Sequence, residues 1–283
     1  MADAKPRNGR RLALGTAVVA LVWLFGVWPP PVWWRDHWPR ETAMMRERRP
    51  EGWNLPTFQP TALKDISPLL RRMVIIGEDS RFRSHHGIDP AEIADALGVD
   101  RAPGLWPAVA EAWRRRERLR GASTITQQLA KNLYLSPSRS ALRKLKEAVI
   151  ALRLELALSK DRILELYLSV AEWGPGVWGA EAASHAYFGV APSLLDEEQA
   201  AALAATLPHP LSSNPTFRPA RTLERRNLIL ARYHGVDVYI PPEEEDTVLI
   251  VPEVIVPPVE SLSVQPPALI DTVPDTTTRT DSL

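Results

Sequence analysis

Between residues 65 and 235 the chain is punctuated by helix starts and apolar stripes, and no stretch shows a convincing strand-like alternation. That pattern excludes sheet-based architectures and predicts a mainly α domain, almost wholly helical. Asp89 is followed by Pro90, with Glu92 completing an N-cap, first-turn proline and capping-box acid, so a helix is expected to start there. Asp196 with Gln199 repeats the cap ahead of an alanine-rich helix ending at Pro208. Leu142, Leu145, Val149, Leu152 and Leu156 recur at spacings of three and four, which predicts one apolar stripe on a helix carrying Arg143, Lys144, Lys146 and Glu147 off it.

A chain of 283 residues, 45% of them hydrophobic, can bury one sizeable core. One domain is expected, because both ends look non-globular. The formal net charge is zero, so the overall balance gives no argument for nucleic acid or an acidic polymer as partner. With no cysteine in the chain, disulfides, thiolate metal sites and cysteine nucleophiles are excluded.

Residues 1–11 are basic, with Lys5, Arg7, Arg10 and Arg11, and Leu12 to Trp28 then run without a charge. With its apolar flanks this run is long enough for a hydrocarbon core of about 30 Å. Residues 12–34 are therefore expected to form a transmembrane anchor, with Trp28, Trp33, Trp34 and Trp38 as an aromatic belt. The positive-inside rule keeps the N-terminus cytoplasmic and places the rest across the bacterial inner membrane, on the periplasmic side. A cleaved signal peptide is the competing reading; the run is long for one, and no A-x-A-like site precedes Pro29 to Pro31. Residues 35–64 are expected to be an extended connector, 65–239 the globular domain, and 240–283 a Pro- and acid-rich disordered tail.

Three motifs carry the chemistry. The first, EDSRFRSHHG at 78–87, places Glu78 and Asp79 at the end of the apolar run MVIIG, where Glu78 would be partly desolvated, as suits a general base. Its ordinary reading is a loop pair capping the next helix. The second, GASTITQQLAKN at 121–132, gathers Ser123, Thr124 and Thr126 at a helix start whose hydroxyls and backbone N–H groups would attract an anion. Gln127, Gln128 and Lys131 extend that donor set; the ordinary reading is a cap. In the third, RKLKE at 143–147, Arg143 and Glu147 are four apart, which also describes a surface ion pair. His85 has no partner at metal-ligand spacing and is not read as a metal ligand.

In this order the three motifs resemble those of the peptidoglycan glycosyltransferases, lysozyme-like two-lobed helical enzymes that polymerise lipid II. Phe82, His85 and Gly87 fall at the positions of that family's first motif. KDRILELYLSVAEWGPGVWGAEAASHAYFG at 160–189 resembles its fourth segment, with Ser169 where the family usually has Asn, and LDEEQAAALAATLPHPLSSNP at 195–215 resembles its closing helix. The resemblance covers about residues 60–235. No S-x-x-K or K-T-G segment follows, which fits a monofunctional, membrane-anchored form.

The resemblance implies the roles. Glu78 would take the proton of an acceptor sugar 4-hydroxyl, which attacks the anomeric carbon of a lipid-linked glycan, giving a β-1,4 bond with inversion. Lys131, Arg139 and Arg143 would neutralise the departing pyrophosphate, and Glu147 would organise that basic cluster or a metal. Asp79, Phe82, His85, Ser123, Thr124, Gln127 and Gln128 would complete the substrate site. A magnesium or manganese requirement is compatible with this chemistry and is not readable from ligand spacing. Lipid II, the membrane and other cell-wall synthesis proteins are the partners implied. The alternatives are a lytic transglycosylase or muramidase, which the basic second and third motifs oppose, and an inactive scaffold, which the presence of Glu78 and Glu147 opposes. Trp106, Val109 and Trp113, ahead of Arg114, Arg115, Arg116, Arg118 and Arg120, read equally as a membrane-surface segment and as a solvated helix.

Overall fold

A serine and a proline start the helix that leads to the first motif. Ser67 Oγ accepts from the Leu69 N–H, Pro68 occupies the first turn, and the helix runs Pro68–Glu78 with Leu70, Met73 and Val74 buried. The computed structural model describes residues 7–48, 59–90, 123–136 and 140–241, and all of these fall in one compact unit.

In chain order the α-helices are α1 Arg7–Phe25, α2 Ala43–Glu47, α3 Pro68–Glu78, α4 Ile125–Tyr134, α5 Ala141–Ala157, α6 Lys160–Val170, α7 Gly179–Phe188, α8 Glu197–Thr206 and α9 Ala220–Tyr233. Between α6 and α7, β1 (Glu172–Gly174) and β2 (Val177–Trp178) pair antiparallel across the glycine-rich turn. They form the one sheet among the described residues. The mainly helical expectation therefore holds.

The alanine face of α8 packs against both α3 and α9, while α4 packs against α5 and α6. Small side chains on α8 let these helices approach closely, and Phe82, Ile125, Leu129, Ile150, Leu154, Tyr167 and Trp173 fill the remaining core. The capping boxes at Thr124/Gln127 and Asp196/Gln199 are both formed. Ser169, at the position of the family's Asn, is fully buried. Its Oγ accepts from the Thr61 N–H at 3.2 Å and donates to the Thr61 carbonyl at 3.3 Å, pinning the chain's entry into the domain to α6.

At four points the structure departs from these expectations or refines them. The apolar run at the N-terminus is helical only to Phe25; the chain leaves the helix at Gly26 and meets Pro29 to Pro31. Among the described residues no helix is long and apolar enough to cross a membrane. The segment expected as an extended connector folds onto the domain in its described part: Thr42 caps α2, and Met44 and Met45 are buried in the core. The tryptophans are not one belt. Trp34 is buried and donates through Nε1 to Tyr134 OH at 2.5 Å, and Trp38 lies under the Arg162 guanidinium, whereas Trp28 and Trp33 are exposed.

The leucine stripe of α5 is the fourth. Leu142, Leu145, Leu152 and Leu156 are exposed, while Ile150, Ala151 and Leu154 enter the core. The periodicity is real, but this helix has two apolar faces, and the other one is buried. The helix after Pro90, the segment 97–120, Arg139 and the tail from 242 lie outside the described residues.

Candidate active site

Glu78 is the last residue of α3, and its side chain is 6% exposed. It is desolvated, as its apolar approach predicts, and it is also well partnered. Gln128 Nε2, from α4, donates to Glu78 Oε2 at 2.9 Å, and Gln128 Oε1 accepts from Tyr167 OH at 2.8 Å. The other oxygen, Oε1, lies 3.5 Å from Nη2 of Arg225 on α9. The following residue, Asp79, turns the opposite way. Its Oδ2 accepts from the Ile125 N–H at 3.0 Å and from His85 Nε2 at 2.9 Å, while His85 Nδ1 accepts from the Gly87 N–H at 3.2 Å.

These bonds explain why the first and second motifs belong together. The start of α4, expected to attract an anion, already holds one: the Asp79 carboxylate occupies the first N–H, and Thr124 Oγ1 takes the Gln127 N–H. Thr124 Oγ1 donates in turn to the Gly87 carbonyl at 2.7 Å, and Thr126 donates to Glu155 at 2.6 Å. Gly87 sits at φ +90, and a Cβ there would come within 3.1 Å of the Ala151 carbonyl on α5, so this crossing needs glycine. Asp79, Phe82, His85, Thr124 and Gln127 are all buried and bind the site's framework to itself.

The third motif makes a separate cluster. Glu147 is 2% exposed; Arg143 Nη1 donates to its Oε2 at 2.8 Å, and Lys144 pairs with its Oε1. Lys144 Nζ also donates to Ser123 Oγ at 2.7 Å, which joins the second motif to the third. A polar cleft lies beyond Gln128, lined by Lys131, Asn132, Tyr167 and the half-buried pair Arg48–Glu172. The structure thus groups Glu78 with Gln128, and Gln128 with Lys131 along the cleft. It groups Ser123, Arg143 and Glu147 at the start of α5.

Neither carboxylate cluster suits a divalent cation. Both Glu147 oxygens already face cations. Asp79, His85 and Asp89 bring ligand atoms within 4.8 Å of one another, but Asp89 Oδ2 accepts from Arg81 Nε at 2.6 Å and both His85 ring nitrogens are engaged. Sequence reasoning missed Lys144, Tyr167 and Arg225. Lys144 was available from the sequence, three residues before Glu147, and Tyr167 falls within the fourth segment; Arg225 carries no local signal.

A desolvated carboxylate beside donors, with cations lining a neighbouring cleft, is an arrangement suited to acid–base chemistry on an anionic substrate. The transglycosylase family model matches residues 54–234. A biosynthetic peptidoglycan transglycosylase of Azoarcus sp. is 41% identical over 224 residues, spanning 75% of this chain and 88% of the relative. Those of Thiobacillus denitrificans and Bordetella avium are 41% and 37% identical, covering 77% and 82% of this chain and 92% and 97% of theirs. The chain belongs to the transglycosylase family.

Proposed function

We propose that this chain is a peptidoglycan glycosyltransferase that polymerises lipid II into β-1,4 glycan strands with Glu78 as general base. The observation that carries the reading is the Glu78 carboxylate itself: 6% exposed, its Oε2 bonded by Gln128, which lines a cleft together with Lys131. Glu78 takes the proton of the acceptor's sugar 4-hydroxyl; that oxygen bonds to the donor's anomeric carbon as the bond from carbon to diphosphate oxygen breaks. Undecaprenyl diphosphate leaves with the electron pair, and the stereochemistry inverts. Lys131, Arg143 and Arg139, to which the geometry adds Lys144, neutralise the leaving group. Glu147 keeps Arg143 and Lys144 aimed, and its donor set leaves no role for a magnesium or manganese ion there.

The enzyme works at the bacterial inner membrane, anchored by the N-terminal apolar segment, with its two-lobed domain on the periplasmic side. Two observations support this: the basic residues at the start of α1, and the exposed α5 leucines on a helix that α1 contacts. Lipid II, the lipid-linked glycan and other cell-wall synthesis proteins are its partners.

The test is incubation of the purified full chain with labelled lipid II. Wild type should yield polymer, and Glu78→Gln, isosteric and unable to accept the proton, should yield none. A variant retaining more than about a tenth of the wild-type rate, a barrier change under about 1.4 kcal/mol, would exclude Glu78 as the essential base. Release of short fragments from preformed glycan, without polymer from lipid II, would establish the lytic reading instead.

A further inference from the structure

We propose that Arg225 is a positioning residue that holds Glu78 in its ionised form and so commits this fold to accepting a proton rather than donating one. The proposal rests on the reading of Glu78 as the base.

Arg225 lies on α9, nearly 150 residues from Glu78 in sequence, and its side chain is 4% exposed. What brings it there is Gly77. A Cβ at Gly77 would meet Ile229 Cδ1 at 3.0 Å, so α9 packs directly over the end of α3. Ile229 and Arg225 are four apart on the same helical face. Arg225 Nη2 donates to the Gly77 carbonyl at 2.7 Å and stands 3.5 Å from Glu78 Oε1, while Nη1 donates to the Pro241 carbonyl at 2.8 Å. The guanidinium is thus fixed at two backbone oxygens, with Nη2 beside the carboxylate.

A buried charge in contact with one partner of opposite sign favours the ionised state of that partner. With Gln128 Nε2 on Oε2 and Arg225 beside Oε1, donors face both oxygens of Glu78. That is the environment of a base. A glycan-cleaving enzyme needs the reverse, a carboxyl that stays protonated in an apolar pocket so that it can protonate the leaving oxygen. Asp79 is paired with His85; Tyr167 reaches Glu78 only through Gln128; Lys131 lies about one turn beyond Gln128 on α4; and the packed face of α8, Ala200 to Thr206, carries no charge.

The experiment is the pH dependence of lipid II polymerisation by the full chain, with Arg225→Gln, Arg225→Lys and Glu78→Gln alongside wild type. Without the cation, Glu78 protonates at higher pH, so the acidic limb of kcat/KM should move in the alkaline direction by about one unit in Arg225→Gln. That is about a tenfold loss below the limb, recovered at higher pH, with KM for lipid II unchanged. Arg225→Lys keeps the charge and should keep the limb near its wild-type position. A uniform loss at every pH, or a rise in KM alone, would reduce Arg225 to a structural residue. Should the glutamine variant not fold, a folded Arg225→Lys whose limb moves by a full unit overturns the proposal. If Glu78→Gln stays active, the base assignment fails; if it is inactive while Arg225→Gln keeps its limb, only the present inference fails.

Discussion

Glu147 shows what a single buried carboxylate does at the start of α5. Its two oxygens aim Arg143 and Lys144, whose side chains are 17% and 44% exposed, so the cations are positioned by the protein yet still reach solvent. Charges held in that way would stabilise the departing diphosphate of the proposed reaction without reorganising. Lys131→Ala, Arg143→Ala and Lys144→Ala should each lower transfer from the lipid diphosphate by about ten- to a thousandfold. Steady-state polymerisation by folded variants checks this, and near-normal rates in all three would end the leaving-group assignment. Gly87 makes a prediction of a different kind. Alanine there would be strained at φ +90 and pressed against the Ala151 carbonyl, so Gly87→Ala should cost about 1–3 kcal/mol of stability, measured by denaturant unfolding.

Among the elements, the 3-10 turn Pro31–Arg35 is tied to the domain by bonds that can be tested. Tyr134 OH accepts from Trp34 Nε1 and donates to the Pro29 carbonyl at 2.8 Å, and burial pushes its pKa up from 10.0 to about 12. Tyr134→Phe leaves the indole N–H without its acceptor and should cost about 1–3 kcal/mol. The sign of the pH effect follows from the raised value. The folded protein holds the phenolic proton more tightly than the unfolded chain, so the contribution is complete below pH 10 and is lost as pH rises to about 12. Thermal unfolding of the two proteins across that range should converge at its alkaline end. Helix starts at Thr124 and Asp196 were legible in the sequence, because a cap is a local bond between residues three apart. Which face of α5 is buried was not legible. Leu142 and Ile150 are equally apolar, and only the neighbours of the helix decide between them. Arg225 was hidden for the same reason: in the sequence it is half of an Arg-Arg pair on an exposed-looking helix, and its role depends on how closely α9 approaches Gly77.

At the scale of the whole molecule, the exposed leucines of α5 and the apolar side chains of α1 lie on neighbouring helices. Lys146 Nζ stands 4.8 Å from the Trp23 ring centroid, and the Arg153 guanidinium meets the Phe25 carbonyl. Replacing Leu142, Leu145, Leu152 and Leu156 together by Gln should weaken association with anionic lipid vesicles at least about threefold while leaving the melting temperature almost unchanged, since surface substitutions usually cost within about 0.5 kcal/mol each. Vesicle flotation and a thermal melt check the two halves. The N-terminal strap has a consequence for how the molecule is made. Trp34 bonds to Tyr134 across 100 residues, Arg35 to the Ala157 carbonyl across 122, and the Trp34 carbonyl to Arg162 across 128. The strap leaves the ribosome before any of these partners exists. A segment synthesised well before its partners is therefore among the last able to dock, and the domain must close onto a tether that has been waiting for it.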